Sequence, residues 1–512
     1  MTVSRRNVLL QGSVIGAGIL AANTSAIVAL AQAQAQAPPK RRSLAGLAWN
    51  DPIVATYREA VGMMKQKPDS DKLSWVSLAK IHGTDPNTFH FCPHGNWYFL
   101  PWHRAYTVTY ERIIRHLTGH NDFAMPFWDW TANPKMPDVF LHPKTPDGKT
   151  NWLFVSEPGF ERTWPNNKPM PASNVGSTVL KKILHATTYE QFGTSRPHKP
   201  KTQDSLDPSW VVDQMSGVQG VLEGNAHNNV HNNIGGWMPS CMSPRDPIFF
   251  MHHGNIDRIW ALWNVHNANS DDPLWKNMQF KDNFIHPDGT PYSPKVSELF
   301  VPEQLGYTYG LPPAQAAQPA VIALGARMRT LFATPTANVA GVKSYVAQNT
   351  QPATPSKALD IPVAVDASLL GAVARRPPIP SGTEELDFAQ ARELAATGPR
   401  ALAFIRDVAT TQNKDTQFRV FIDADNLAPD TSPSSPNYVG TFGVLDHEGG
   451  HEGHGAPSFL LDLTDAIQHV YGAAATPPSS IRVQILPVSN SGVVDKAGTA
   501  TPSQVEIAFV SG

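Results

Sequence analysis

Arg245-Asp-Pro-Ile-Phe-Phe-Met-His-His-Gly-Asn-Ile-Asp-Arg258 is the stretch from which the fold can be read. Asp246 followed by Pro247 has the form of an N-cap with proline at the first helical position. An aspartate oxygen accepts an orphan helix N–H, and proline has no N–H to lose. A helix is therefore predicted through His253 towards Trp263. Working outward, His227 and His231 are four residues apart, which places both rings on one face of a second helix, within reach of His253. Further upstream, Trp102 to Leu117 has the apolar spacing of a helix with His103 in its first turn. Ser74 to Ile81 reads as a helix ending at His82, and Cys92-Pro93-His94 lies between them. The expected scaffold is a mainly α domain, a helical bundle with histidines projecting into its core.

Neutral imidazole is a common ligand of copper, zinc, iron and nickel. Two sets of three histidines suggest two metal ions held without carboxylate or thiolate. A binuclear copper oxidase is the chemistry this pattern opens. A lone His-x-x-x-His pair is weak evidence, because it is often a pair of satisfied polar residues on a helix. Two clusters, both embedded in aromatic sequence, are much stronger.

The 512 residues exceed one ordinary domain and suggest roughly two or three. With 41% hydrophobic and 16% charged residues the chain can bury large cores. Its formal net charge of -2 gives no reason to expect nucleic acid or an anionic membrane as partner, which leaves small-molecule chemistry. Residues 1–37 read as an address. Ser4-Arg5-Arg6-Asn7-Val8-Leu9-Leu10 resembles a twin-arginine export signal, followed by an apolar stretch to about Leu30 and Ala-x-Ala cleavage sites between Ala31 and Ala37. The run is too rich in Gly and Ala and too short for a spanning helix, so no stable membrane association is expected after signal removal. A mature protein beginning near Pro38, periplasmic or secreted, is the expectation. Only Cys92 and Cys241 are present. Cys92 has a local role beside His94, Cys241 reads as a buried thiol, and a disulfide between them is the alternative.

Composition divides the mature chain. Residues 38–310 hold all six histidines. Residues 311–358 turn rich in Ala, Pro, Thr and Gln and read as a linker. Residues 359–512 contain short β-branched runs at Ile361 to Val365, Phe418 to Ile422, Tyr438 to Leu445, Ile481 to Val488 and Val505 to Val510. These predict a mainly β C-terminal domain with one helix around Leu460 to Tyr471.

Three segments carry a specific resemblance: Cys92-Pro-His-Gly-Asn-Trp-Tyr-Phe-Leu-Pro-Trp-His-Arg-Ala-Tyr106, Pro126-Phe-Trp-Asp-Trp-Thr131 and the stretch from Arg245. They resemble the signatures of tyrosinases and polyphenol oxidases, the type-3 copper proteins. Most of residues 41–310 take part, and Tyr307-Thr308-Tyr309 is similar to the tyrosine motif closing that family's catalytic domain. The resemblance implies two copper ions, one on His82, His94 and His103 and the other on His227, His231 and His253. His252 is then a neighbour, and His90 is the local competitor for the place of His82. It also implies a thioether between Cys92 and His94, as in some members of the family.

The implied reaction uses dioxygen as co-substrate on small phenols, hydroxylating monophenols ortho to the hydroxyl and oxidising o-diphenols to o-quinones. A phenol has a pKa near 10 and docks better with a base to take its proton. Glu223 and Asn228 match family positions proposed to hold a water for that step; their bland roles are a helix cap and a solvent-facing amide. The stretch Pro239-Ser-Cys-Met-Ser243 lacks the bulky Phe that some plant members place over the site, which favours tyrosinase activity over catechol oxidation alone. The C-terminal domain resembles that of polyphenol oxidases through Phe418-Arg-Val-Phe-Ile-Asp423, Tyr438-Val-Gly-Thr-Phe442 and Ser480-Ile-Arg-Val-Gln-Ile-Leu-Pro487, which implies a lid and a latent form. A dioxygen carrier with the same ligands is a remote alternative. So is a zinc peptidase, since His447-Glu448-Gly449-Gly450-His451 fits His-Glu-x-x-His. That motif needs a helix, however, and Gly449, Gly450, Gly453 and Gly455 each oppose one by about 1 kcal/mol. A flexible His-rich loop is the better expectation for residues 447–454.

Overall fold

Helix α1 (Pro52–Lys65) starts where the sequence supplies a cap: Asp51 accepts from the Ile53 N–H and Pro52 occupies the first turn. The computed structural model describes residues 37–85, 88–198, 216–313, 319–333, 339–355, 357–376, 398–411, 415–445, 456–490 and 497–511. The expected export signal and the His447–His454 loop lie outside them. A short helix α2 (Trp75–Ala79) is capped by the Ser74 hydroxyl on the Ser77 N–H. Helix α3 (Phe99–Thr118) ends at Gly119, whose φ of 75° gives the left-handed cap that glycine adopts without strain. Helix α4 (Asn228–Ile234) follows directly on a π-helical turn, Leu222–His227, and α5 (Ile248–Asn264) is the helix predicted from Asp246-Pro247. Its cap is shifted by one residue. Pro247 stands at the N-cap, while the Asp246 carboxylate accepts from the Ile248 N–H at 2.9 Å.

These helices share one apolar core. Helices α3 and α5 meet through Tyr106, Tyr110 and Phe250, with the Tyr110 and Phe250 rings 3.7 Å apart. Helix α1 closes on the fully buried Trp75 and Trp102 layer and presents Gly62 to Trp152. In most helices Gly→Ala stabilises by about 1 kcal/mol. Here a Cβ on Gly62 would lie 2.5 Å from the indole Cδ1 of Trp152, so Gly62→Ala is expected to lower the melting temperature. An unchanged or higher melting point would show that the indole moves aside freely.

The C-terminal region is mainly β, as the alternating runs predicted; among the described residues it has a two-stranded ladder of Ala409–Thr411 with Thr499–Thr501 and two larger sheets. One has the order β6-β5-β8-β3, formed by β3 (Leu359–Ala364), β5 (Thr416–Ile422), β6 (Tyr438–Phe442) and β8 (Ser480–Ser489). In β3, Leu359, Ile361 and Val363 face inward; Pro362 is tolerated because β3 is an edge strand. The second sheet has the order β1-β7-β4-β9-β2, formed by β1 (Val218–Gln219), β2 (Val342–Gln348), β4 (Arg400–Arg406), β7 (Ser458–Asp462) and β9 (Gln504–Val510).

Two expectations need correcting. Residues 311–358 are more than a connection: they contain helix α6 (Pro319–Ala333), whose Leu324, Met328 and Leu331 are buried with Phe404 and Val510, and strand β2, paired along its length with β9. Their Ala/Pro-rich composition hid a helix that draws its stability from the sheet beneath it. The helix expected from Leu460 begins only at Thr464 (Thr464–Tyr471), because Leu460 and Leu461 pair with β4 in β7. Periodicity cannot separate a short buried strand from the start of a helix.

Strand β1 belongs by sequence to the helical region, yet it runs parallel to β7 as the edge of the second sheet, with Val218 opposite Ser458 and Gln219 opposite Phe459. The two regions are therefore joined by backbone pairing just before the His227 segment. No helix among the described residues is long and apolar enough to cross a membrane.

Candidate metal centre

The two histidine clusters converge at the centre of the helical region. His82 follows α2, His94 lies in the loop before α3, and His103 sits in the second turn of α3. Their ring centroids are 5.4 to 5.9 Å apart. His227 ends the π turn, His231 lies on α4 and His253 on α5, with centroids 4.5 to 5.5 Å apart. A π turn widens the helix by one residue and is frequent at functional sites. All six rings are at most 3% exposed. The clusters face each other: His103 and His253 stack at 4.2 Å with their planes 5° apart, and His94 lies 5.5 Å from His227. His90, the competitor of His82, is exposed.

Four rings are oriented through Nδ1. His82 is 2.6 Å from the Cys241 carbonyl, His103 is 2.8 Å from that of Phe99, and His231 is 2.6 Å from that of Met238. His227 is 2.8 Å from Oδ1 of Asn228. An Nδ1–H donated to an oxygen fixes the tautomer and leaves Nε2 as the lone-pair atom, the arrangement found around metal-bound histidines. Nε2 of His227 is buried and has no partner among the described residues. Burial, reinforced at His103, His227 and His253 by neighbouring histidines, also favours the neutral form of four rings. It pushes His103 down to about 3 and His231 to about 4, and holds His227 and His253 well below the usual imidazole range. Six buried imidazoles, four of them pre-oriented, fit a pair of transition-metal ions.

The remaining candidates are nearby. Cys92 is a buried free thiol, its Sγ 3.7 Å from Nδ1 of His94 and 3.3 Å from Nε2 of His103; Cys241 is also free, so the alternative disulfide is absent. His252 accepts from the Trp130 indole at 3.3 Å and lies beside His227 and His231. Glu223 is fully buried. Its carboxylate takes the Gly95 N–H at 2.8 Å and the Thr194 hydroxyl, and burial pushes it up to about 8 against those two hydrogen bonds. Asn228 is also buried, not solvent-facing, and its amide donates to Gln219 and to the Gly443 carbonyl.

Sequence reasoning missed the carbonyls of Met238 and Cys241, because main-chain acceptors leave no residue signature. The segment 238–241, of which only the missing aromatic gate and the Cys241 thiol were considered above, holds one histidine of each cluster. It also missed Phe99 and Phe249. Phe99 lies 4.7 Å from both His103 and His227, and Phe249 lies 4.2 Å from His253 and 5.4 Å from His82. Their spacing, four residues before His103 and His253, was the available signal, although the helix predicted from Trp102 begins three residues earlier, at Phe99, in the structure.

Fold and site together define a helical protein built around two facing trios of histidine, joined to a β-rich C-terminal domain. Residues 72–266 match the family described as the common central domain of tyrosinase. The chain is 28% identical over 284 residues to (+)-larreatricin hydroxylase of Larrea tridentata, covering 50% of this chain and 46% of that protein. It is 27% identical over 333 residues to a tyrosinase of Hahella sp., covering 54% and 66%. A polyphenol oxidase of Malus domestica aligns at 24% identity over 489 residues, covering 89% and 75%. The chain thus spans about half the length of the first of these relatives and somewhat under two thirds of the second. In fold it is similar to a latent aurone synthase (TM-score 0.59, 19% identity, 93% of this chain and 90% of that one). It is also similar to latent apple tyrosinase (TM-score 0.58, 21% identity, 93% and 98%). Residues 72–266 thus carry the central domain of the tyrosinase family, and the chain is similar to tyrosinases and polyphenol oxidases.

Proposed function

We propose that this protein oxidises small phenols with dioxygen at two copper ions, hydroxylating monophenols at the ortho position and converting o-diphenols to o-quinones. His82, His94 and His103 would hold one ion and His227, His231 and His253 the other. The observation that carries this reading is the face-to-face pair of buried histidine trios, with His103 stacked on His253 at 4.2 Å. A copper pair bound there supplies the reductive binding of dioxygen and the two-electron oxidation of the phenol. The protein's own residues orient the imidazoles, and Phe99 and Phe249 wall the site against water. Glu223, held up to about 8, is suited to exchanging a proton with a docking phenol. A thioether from Cys92 to the His94 ring would further fix that imidazole. Twin-arginine export of the folded, metal-loaded chain is the proposed route to the periplasm or outside the cell.

One observation favours the narrower activity of a catechol oxidase. The Glu223 carboxylate is engaged by Gly95 and Thr194, and the Asn228 amide by His227, Gln219 and Gly443, which leaves this pair less free to hold a water. Copper analysis with dioxygen uptake on tyrosine and on catechol separates the readings. Two coppers per chain and uptake on both substrates are expected. Uptake on catechol alone would reduce the protein to a catechol oxidase, and a copper-loaded chain inert to both would overturn the assignment.

A further inference from the structure

Asn228 touches His227 with one end of its amide and the C-terminal domain with the other. Its Oδ1 is 2.8 Å from Nδ1 of His227, while its Nδ2 donates to Oε1 of Gln219 and to the Gly443 carbonyl, both at 2.8 Å. An amide NH2 has two hydrogens, and each is taken by a different acceptor. That double acceptance fixes which way the amide points: its oxygen must face His227, so His227 must carry its proton on Nδ1 and offer Nε2. A flipped amide would present N–H to Nδ1 and favour the opposite tautomer. Asn228 is 1% exposed, so water cannot replace a lost acceptor cheaply.

Both acceptors depend on the C-terminal domain. Gln219 lies on β1, held at the sheet edge by β7 and bridged on its other side to Thr194. Gly443 follows β6, and its N–H donates to the Gly224 carbonyl of the π turn at 2.8 Å. It approaches so closely that a Cβ there would meet Oδ1 of Asn229 at 2.5 Å.

We propose that Gln219 is a positioning residue for His227, and that the C-terminal domain, through β7 and the Gly443 carbonyl, completes the cradle that keeps this imidazole ready for its metal. The domain is then part of the metal centre and not only a cover over it. This inference rests on the dicopper reading above.

The test uses the full chain. Gln219→Met keeps the length of the side chain and removes the acceptor, whereas Gln219→Glu keeps the acceptor. Copper content and copper affinity, measured by competition with a chelator, are read beside the thermal melt. Gln219→Met is expected to weaken one of the two coppers by about 10- to 100-fold, the usual cost of losing a residue that orients a ligand, with a melt close to wild type. Gln219→Glu is expected to restore most of that affinity. Gly443→Ala should weaken the same copper without touching Gln219. Wild-type affinity in a folded Gln219→Met chain would overturn the proposal, as would equal losses in the Met and Glu variants. An unaffected Gly443→Ala chain would remove the C-terminal domain from it. A wild-type chain that takes up no copper would overturn the dicopper reading, and this inference with it.

Discussion

Asp257→Ala is expected to cost about 3–5 kcal/mol of stability, or to abolish accumulation of folded protein, because it leaves two buried guanidinium groups without their shared counter-ion. Asp257 lies on α5, one turn past His253 and 4% exposed. Arg104 and Arg41 both bind its carboxylate, Arg41 at 3.0 Å, and the hydroxyls of Tyr307 and Tyr309 donate to it at 2.6 and 2.7 Å. Burial alone would raise its pKa, but the two arginines hold it below the usual carboxylate range. Arg41 continues to Glu111 on α3 at 2.9 Å, so the network fastens the segment around Arg41 to α3, α5 and the Tyr307-Thr308-Tyr309 segment. Urea unfolding followed by tryptophan fluorescence reads the effect. Asp257→Asn, which keeps shape and hydrogen bonding but not charge, should lose less. An alanine variant within about 1 kcal/mol of wild type would show that the arginines find water or other partners instead.

The second large effect is on function. His253→Ala is expected to lower copper from two ions per chain to one and to reduce phenol oxidation by more than ~100-fold. Residues that merely orient a ligand already cost 10–100-fold when removed. His252→Ala separates the neighbours. It leaves His253 stacked on His103 and removes only the ring that accepts from Trp130, so two coppers should remain. If the two variants behaved oppositely, the ligand would be His252, and the helical register drawn from the Asp246-Pro247 start would be carrying the wrong residue into the centre.

Much of the site was legible because its logic is local. Histidines four apart on a helix, an Asp-Pro helix start before His253 and a serine cap before His82 each act within one or two turns. The helical region therefore followed from spacing and capping, and the segments resembling tyrosinases implied the ligand set and its order along the chain. Strand β3, with clean alternation, was equally readable, and β9 was found from its β-branched run although it is buried along nearly its whole length. Strand β4 was not, since Arg400–Arg406 is buried along its whole length and shows no alternation. Helix α6 was hidden for the opposite reason: its sequence is weakly patterned, and the sheet, rather than its own propensity, holds it.

The sequence by itself thus determined which residue types are available for a metal pair and which local elements carry them, because capping, periodicity and imidazole chemistry act over a few residues. Only the tertiary structure decided how those imidazoles are aimed. The Cys241 carbonyl reaches His82 across 159 residues and the Gly443 carbonyl reaches Asn228 across 215, while the nearer Met238, Asn228 and Gln219 are aimed by the strand pairing and packing around them. Main-chain acceptors and inter-domain pairing have no residue code, and they become visible only when packing has brought them within hydrogen-bond distance of a buried ring.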